Sequence, residues 1–325
     1  MTNNLTGTPT GTSTGTSTGT STPTGAASIL WLENAEQVIR DRRSIRAFAA
    51  PNLSASAAET RSSESAQASL LAALNTGRNP FKASHRFQIV TTESGTHTSG
   101  ANDRGNGHKL GTYGVIKGAN QYLVSALTPG DEHLEALGFD MEYAVLQAHA
   151  MGLGTCWLGG TFNKGQFATA LGLKAGELLP IVIPFGRPAE KDGLVGRLIR
   201  GIAGSNQRLE FGALFSSEVY GTPLSVADAG PFATALEMVR LGPSASNKQP
   251  WRVVKSGNTL HFYLKPTKGY ANSLGYDIQR VDMGIALCHF DVMMQAQNLV
   301  GRYEKLTGPE TEKRDDLDYI ISFRL

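Results

Sequence analysis

The sequence contains only two cysteines among its 325 residues, Cys156 and Cys288, and both lie in apolar stretches. Two cysteines cannot form a disulfide framework or a paired CxxC zinc site, and a buried thiol is their ordinary state. This usage predicts a reducing, cytoplasmic environment. The seven histidines show neither an HxH nor an HExxH spacing, so the sequence gives no support for a metal site.

A basic excess and a long apolar run are also lacking. The 30 Lys and Arg residues nearly balance the 28 Asp and Glu residues, so no nucleic-acid partner is expected. The longest apolar run, at 178–185, is far shorter than the roughly 20 residues that span a bilayer, so no membrane segment is expected. Residues 1–28 form a Thr/Gly/Ser repeat without the parts of a signal peptide, and this composition predicts a disordered tail.

The full chain of 325 residues is 40% hydrophobic, which is enough for a large core. Apolar periodicity predicts a helix over 139–154, with apolar residues three and four apart, and a shorter helix over 162–173. Strands are predicted over 86–92 and 178–188. The polar stretch 53–67 predicts a loop before a short helix at 68–75, and the Gly/Ser/Asn-rich stretch 94–108 predicts a mobile surface insertion.

The downstream part of the chain repeats the order of elements seen upstream. Phe87 and Trp251 begin similar strands 164 positions apart (251 minus 87), whereas Asp140 and Asp282 lie in similar helices 142 positions apart (282 minus 140). The difference is about the size of the Gly/Ser/Asn-rich stretch. The pattern predicts two homologous halves, a first half at 29–205 and a second half at 206–325. It lacks the regular strand and helix alternation of a doubly wound sheet and a strand-linked GxGxxG, which favours the α+β class.

Three arginines and a serine stand close together at residues 41–48, DRRSIRAF, here called the basic segment. The guanidinium groups of Arg42, Arg43 and Arg46 suit phosphate oxygens, and Ser44 adds a neutral donor. A solvated basic helix end is the alternative interpretation, because cations are also favourable at a helix C-terminus.

A second polar cluster lies at residues 242–251, GPSASNKQPW, here called the polar loop, between a predicted helix and a predicted strand. Ser244, Ser246, Asn247 and Gln249 offer both hydrogen-bond donors and acceptors, which suits the edge of a flat heterocycle. By itself this cluster is also explained as an ordinary polar loop.

The sequence resembles the nitroreductase family of FMN-dependent oxidoreductases in four segments, which are, in chain order, the basic segment, GLGTCWLGG at 152–160, FGRPAEK at 185–191 and the polar loop. The phrase LGTYGVIKGANQYLV at 110–124 and the duplicated chain resemble its branch with two nitroreductase-like halves in one polypeptide. The resemblance implies a nitroreductase-like α+β fold. It also implies a flavoprotein that moves hydride or electrons from NAD(P)H through FMN to a nitro, quinone or similar small acceptor.

The resemblance also assigns residues by position. Arg42, Ser44 and Arg46 would hold the phosphate, with Arg43 at a variable position and Arg208 as a late addition. The residues assigned to the flavin ring are Pro243, Ser244, Asn247 and Gln249, with the backbone N–H groups of Leu158 and Gly159 at its N5 edge. Ala245 replaces a serine often found in that loop. Tyr113 could face a substrate or pack internally, and no protein nucleophile or metal is required.

Two other functions stay open from the sequence: a non-catalytic flavin-binding or scaffold protein, and an enzyme that acts on flavin itself. The sequence also predicts one FMN for each chain. Residues 209–239 of the second half contain no Arg or Lys, and the first half carries Ala83 and His85 where the polar loop has Asn247 and Gln249. One complete site between the halves would make the protein a monomer with an internal pseudo-dimer.

Overall fold

The computed structural model describes residues 31–49, 57–83, 85–92, 110–190, 207–268, 270, 274–307 and 316–325. The predicted tail at 1–28 and the predicted insertion at 94–108 lie outside these residues. The described chain begins with a 3-10 turn, Leu32–Asn34, and helix α1, Ala35–Asp41. Ala35 and Ile39 of α1 are buried, which fixes the helix against the core just before the basic segment.

The first sheet has four antiparallel strands in the order β1-β2-β4-β3. Its strands are β1 (Arg86–Thr91), β2 (Gln121–Ala126), β3 (Gly154–Thr155) and β4 (Val182–Gly186). The helices of this half are α2 (Ala57–Leu74), α3 (His133–Ala150) and α4 (Lys164–Leu171). Strand β2 is buried from Tyr122 onward because α3 and α4 belong to the layers that cover the sheet.

The second sheet has five strands in the order β5-β6-β7-β9-β8, with β5 parallel to β6 and the other pairs antiparallel. Its strands are β5 (Phe215–Ser217), β6 (Trp251–Ser256), β7 (Thr259–Leu264), β8 (Arg302–Glu304) and β9 (Asp318–Arg324). The helices of this half are α5 (Phe211–Leu214), α6 (Ala233–Leu241) and α7 (Ile278–Ala296).

Both sheets are connected in the same order. In each, an antiparallel strand pair is followed by a long buried helix, a short edge strand, and a strand that pairs with the second strand of the first pair. The mainly antiparallel sheets and separate helices form a mixed architecture that agrees with the predicted α+β class. None of the described helices is long and apolar enough to cross a membrane.

Helices α3 and α7 cross at the centre of the molecule with their backbones in contact. A Cβ on Gly138 would lie 2.1 Å from the carbonyl oxygen of Val281, and one on Gly284 would lie 2.0 Å from that of Glu135. Only glycine permits so close an approach at both points. One hydrophobic core cluster includes residues of both halves, among them Phe139 and Phe290.

The predicted loop at 53–67 is wrong over its described part, because α2 is one continuous helix from Ala57 to Leu74. Ala and Glu are strong helix formers, and the stretch is polar because most of the helix is exposed, with Leu70, Ala73 and Leu74 as its buried residues. The predicted strands at 86–92 and 178–188 are confirmed as β1 and the shorter β4. The helix predicted over 139–154 begins earlier, at His133, and ends at Ala150.

Candidate functional site

A cavity of about 1280 Å³ lies between residues of the ranges 39–190 and 208–285. The basic segment and residues 157–161 line it together with the polar loop and α7. Ten of the eleven residues predicted to bind a cofactor line this cavity together: Arg42, Arg43, Ser44, Arg46, Leu158, Gly159, Arg208, Pro243, Ser244 and Asn247.

The basic segment is extended rather than helical, because α1 ends at Asp41 and the chain then pairs with neighbouring strands. Ser44 forms a parallel bridge with Thr155, and the N–H of Ile45 donates to the Thr155 carbonyl at 2.8 Å. Alternate residues of an extended chain face opposite sides. Arg42, Ser44 and Arg46 are accordingly half-buried, whereas Arg43 is exposed.

Glycine at position 154 allows this pairing. A Cβ on Gly154 would lie 2.7 Å from the side chain of Ile45, so the basic segment can approach β3 only because that side chain is missing. The glycine-rich stretch after α3 therefore positions the arginines, in addition to ending the helix.

The guanidinium groups at the cavity have unused hydrogen-bonding capacity. Within the described residues, Nε of Arg42 and both Nε and Nη1 of Arg46 are buried without a hydrogen-bond partner. Buried donors usually have a partner, so these atoms indicate that an anionic ligand would complete the site. Burial, together with the charges of Arg42 and Arg240, lowers the pKa of Arg208 to about 10, because the charged guanidinium is desolvated and has positive neighbours.

The polar loop has a strained backbone. Ser246, Asn247 and Gln249 have φ angles of 48°, 54° and 48°, in the left-handed region that residues other than glycine seldom adopt. The N–H of Gln249 donates to the Ser244 hydroxyl at 2.9 Å, and both carboxylate oxygens of Asp282 accept from the N–H of Ala245. These bonds hold the loop in a conformation that a free chain would avoid.

The structure corrects the predicted role of Gln249, whose side chain is not part of the cavity lining. Its Oε1 accepts from the N–H of Leu209 at 2.9 Å, and its Nε2 donates to the carbonyl of Asn247 at 3.2 Å. Arg208 in turn donates from Nη1 to Oδ1 of Asn247 at 2.9 Å. Gln249 therefore connects the polar loop to the segment that carries Arg208 instead of contacting a ligand in the cavity.

The backbone N–H groups of Leu158 and Gly159, both predicted to contact the flavin edge, differ in their availability. The N–H of Leu158 donates to the Val182 carbonyl at 3.0 Å, so it is already used within the sheet. Gly159 remains the candidate for a backbone contact with a ligand, and a Cβ there would lie 2.1 Å from Cδ1 of Ile278. Tyr113 is 69% exposed and does not line the cavity, so neither its predicted substrate contact nor its predicted packing role is found.

Sequence reasoning missed three buried polar residues next to the cavity. Asp282, which marks the repeat in the sequence, lines the cavity, and burial raises its pKa well above the usual range although the N–H of Ala245 donates to it. Glu142 on α3 and His289 on α7 lie fully buried behind Arg42, with Nε2 of His289 2.9 Å from Oε1 of Glu142. The available signal was an ionisable residue within an apolar helix pattern. Among the described residues, no group of three potential ligands could hold a metal ion.

Comparisons with known proteins agree with this geometry. The sequence matches the family model described as "Putative TM nitroreductase" over residues 86–294. Among solved structures, a "putative nitroreductase" from Thermotoga maritima aligns with a TM-score of 0.52 and 17% identity, covering 90% of this chain and 93% of that chain. At this identity the likeness concerns the fold.

Two further solved structures align with about half of the chain. A "putative nitroreductase" from Desulfovibrio desulfuricans, in complex with FMN, is 25% identical with a TM-score of 0.35, and covers 49% of this chain and 88% of that chain. An FMN-dependent nitroreductase from Clostridium difficile is 17% identical with a TM-score of 0.32. Its alignment covers 47% of this chain and 87% of that chain. A search of curated proteins finds no match. Because the matched family model spans residues 86–294, more than half of the 325 residues, the chain belongs to the nitroreductase family that it describes.

Proposed function

We propose that the protein is an FMN-dependent oxidoreductase whose FMN lies in the cavity between the two halves. The observation that carries this proposal is that Arg42 and Arg46, which have buried guanidinium nitrogens without a hydrogen-bond partner, line the same cavity as the polar loop. A ligand with an anionic end and a flat polar end would satisfy both sides. Membership of the nitroreductase family supports the same cofactor.

The residues of the cavity fit FMN. Arg42, Ser44 and Arg46 would hold the phosphate, with Arg208 adding charge and Arg43 at the exposed rim. Pro243, Ser244 and Asn247 would border the ring system, and the N–H of Gly159 would approach its edge. The cavity, about 1280 Å³, exceeds the roughly 300–1,000 Å³ of a typical small-molecule site, so a second flat molecule has room beside the cofactor.

A bound FMN would supply the hydride and electron transfer that the side chains of the cavity do not offer. The chain holds and orients the reactants. Its arginines bind the anionic end, the strained polar loop fixes the ring, and the apolar side chains of Ile181, Ile278 and Ile285 exclude water from one wall. We infer that the electron donor is NAD(P)H and that the acceptor is a nitro compound, quinone or similar small molecule.

We further infer that the chain arose by internal duplication and keeps one flavin site. The shared connection order of the two sheets supports the duplication, with a boundary between 29–205 and 206–325. Asp140 and Asp282 support it as well, since each accepts a hydrogen bond from the segment that precedes the corresponding strand, β1 or β6: from Nδ2 of Asn79 at 2.9 Å and from the N–H of Ala245 at 3.0 Å. Only one of the two pseudo-equivalent positions has the arginines in its sequence, so a monomer with one FMN is expected.

Cys156 and Cys288 are both buried free thiols, which supports the inference that the protein works in the reducing cytoplasm.

The test is to purify the protein, record its visible spectrum and quantify the released flavin. A yellow protein that releases FMN supports the proposal, and colourless protein that fails to take up added FMN overturns it. NAD(P)H oxidation with a quinone or nitroaromatic acceptor then tests catalysis. Flavin binding without turnover would favour a non-catalytic flavin-binding protein, and consumption of flavin during turnover would favour an enzyme that acts on flavin.

A further inference from the structure

A buried carboxylate lies behind the proposed phosphate site. Glu142 is fully buried on α3, and its Oε2 accepts from the indole Nε1 of Trp157 at 2.9 Å. Its Oε1 lies 2.9 Å from Nε2 of His289 and 3.8 Å from Nε of Arg42. One carboxyl group therefore contacts the residue beside Leu158, a histidine from the opposite half, and an arginine of the basic segment.

The hydrogen bonds of His289 require an additional proton. Its Nδ1 lies 2.9 Å from the carbonyl oxygen of Met238, which can only accept, so Nδ1 must carry a hydrogen. A neutral histidine then has a bare Nε2, which cannot donate to Glu142. The 2.9 Å contact between Nε2 and Oε1 therefore needs a second proton, placed either on the imidazole or on the carboxyl group. In both cases the pair of Glu142 and His289 has no net charge.

This proton matters because Glu142 is so close to Arg42. An uncompensated carboxylate at 3.8 Å would cancel most of the guanidinium charge, since both side chains are at most 8% exposed and water screens them poorly. With the charge of Glu142 balanced by His289, Arg42 keeps its positive charge for an anion in the cavity. We propose that His289 is a positioning residue that neutralises Glu142 and so makes Arg42 available to the phosphate of the ligand.

This inference rests on the proposed FMN site, and comparing FMN with riboflavin isolates it, because the two ligands differ only in the phosphate. H289Q should lower the affinity for FMN about tenfold while leaving that for riboflavin unchanged, as expected for a weakened charge-assisted contact. Glutamine suits the helix there, since Gln147 stands at the matching position of α3. The offset is 142 residues (289 minus 147), the same as between Asp140 and Asp282. Trp157 and Arg42 would remain as partners of Glu142, so H289Q does not isolate a buried charge.

E142Q provides the decisive comparison. The new amide could donate to Nε2 of His289 and accept from Trp157, so the packing is kept while the carboxylate is removed. E142Q alone should keep the wild-type ratio of FMN to riboflavin affinity, and the double variant E142Q/H289Q should restore the ratio lost in H289Q. E177Q serves as the matched control, because Glu177 pairs with Arg86 and does not line the cavity.

An equal loss of affinity for FMN and riboflavin in H289Q would overturn the inference. So would a loss of FMN affinity in H289Q that the added E142Q substitution does not restore. Wild-type protein that binds neither flavin would instead overturn the proposed function, and inorganic pyrophosphate then replaces FMN in the same set of variants. If H289Q does not fold, ¹⁵N and ¹³C NMR of labelled wild-type protein decides: the pair is expected to hold one proton beyond that on Nδ1. A neutral imidazole beside an ionised carboxylate would overturn the inference.

Discussion

Asp282 accepts the backbone N–H of Ala245 with both of its carboxylate oxygens, at 3.0 and 3.2 Å. This contact joins the first turns of the buried helix α7 to the strained polar loop, and it places an acidic group in a cavity wall that also carries Arg42, Arg46 and Arg208. The carboxyl group is needed there because a buried N–H without an acceptor would cost roughly 1–3 kcal/mol.

The burial of Asp282 predicts a pH-dependent stability. Its raised pKa means that the folded chain keeps the proton after the unfolded chain has lost it, so this residue makes the protein less stable as pH rises from the ordinary aspartate range towards the folded-state pKa. D282N cannot ionise and should lack that loss. Urea unfolding of flavin-free protein at several pH values measures it: the free energy of unfolding of wild type relative to D282N should fall with rising pH. A difference that does not vary with pH would contradict the prediction.

The crossing of α3 and α7 predicts a strong effect of a single methyl group. G284A would place a Cβ 2.0 Å from the Glu135 carbonyl oxygen, so the helices must separate, and we expect a loss of at least about 1–3 kcal/mol in unfolding free energy. G165A is the matched control, because α4 has room there and alanine favours helix. Denaturant titration should find the control as stable as wild type or slightly more so. An equally stable G284A would show that the crossing tolerates a wider separation.

Substitution in the basic segment is expected to weaken mainly the binding of a ligand that carries a phosphate. R42A removes a charge-assisted contact expected to contribute about 1.5–3 kcal/mol, so affinity for FMN should fall by roughly 10- to 150-fold, with a much smaller effect on riboflavin. Fluorescence titration of both ligands measures the change. R302A is the control, since the side chain of Arg302 is 69% exposed and lies on β8, outside the cavity lining. Unchanged FMN affinity in R42A would contradict the assignment of Arg42 to the phosphate.

One flavin for each monomer is the expected stoichiometry. Residues 209–239 lack the arginines that a second phosphate site would need, and His85 is buried next to Asp140 at the position that corresponds to Gln249. Light scattering combined with quantification of released flavin tests this directly. Two FMN per chain, or flavin bound only in an obligate dimer, would mean that the segments are paired incorrectly.

Much of the architecture was predictable from the sequence. The strand pattern of β1 and β6 and the apolar periodicity of α3 identify their elements because one side of each must be buried. Helix α2 was not predictable in this way, because its polar residues reflect exposure and its helical state depends on propensity. The short pairing of Ser44 with Thr155 depends on a tertiary contact and leaves no periodic signal.

The site was predictable in its composition and less so in its contacts. Their positions in the motifs predicted that Arg42, Arg46 and the polar loop contribute to one site, and in the structure they line one cavity. Sequence alone could not show that the side chain of Gln249 turns towards Leu209, because three left-handed residues set its direction. Nor could it pair Glu142 with His289, since contacts between residues 147 positions apart depend on how the two helices cross.

The cavity takes Arg42, Arg43 and Arg46 from the start of the described chain and is also lined by the polar loop at residues 242–251. If these parts belonged to separate polypeptides, the site would come apart on dilution. Within one polypeptide their effective concentration is fixed by the covalent connection, so assembly does not depend on how much protein is present. Each of the two sheets, with its helices, then needs to be complementary only to the other and not to a copy of itself.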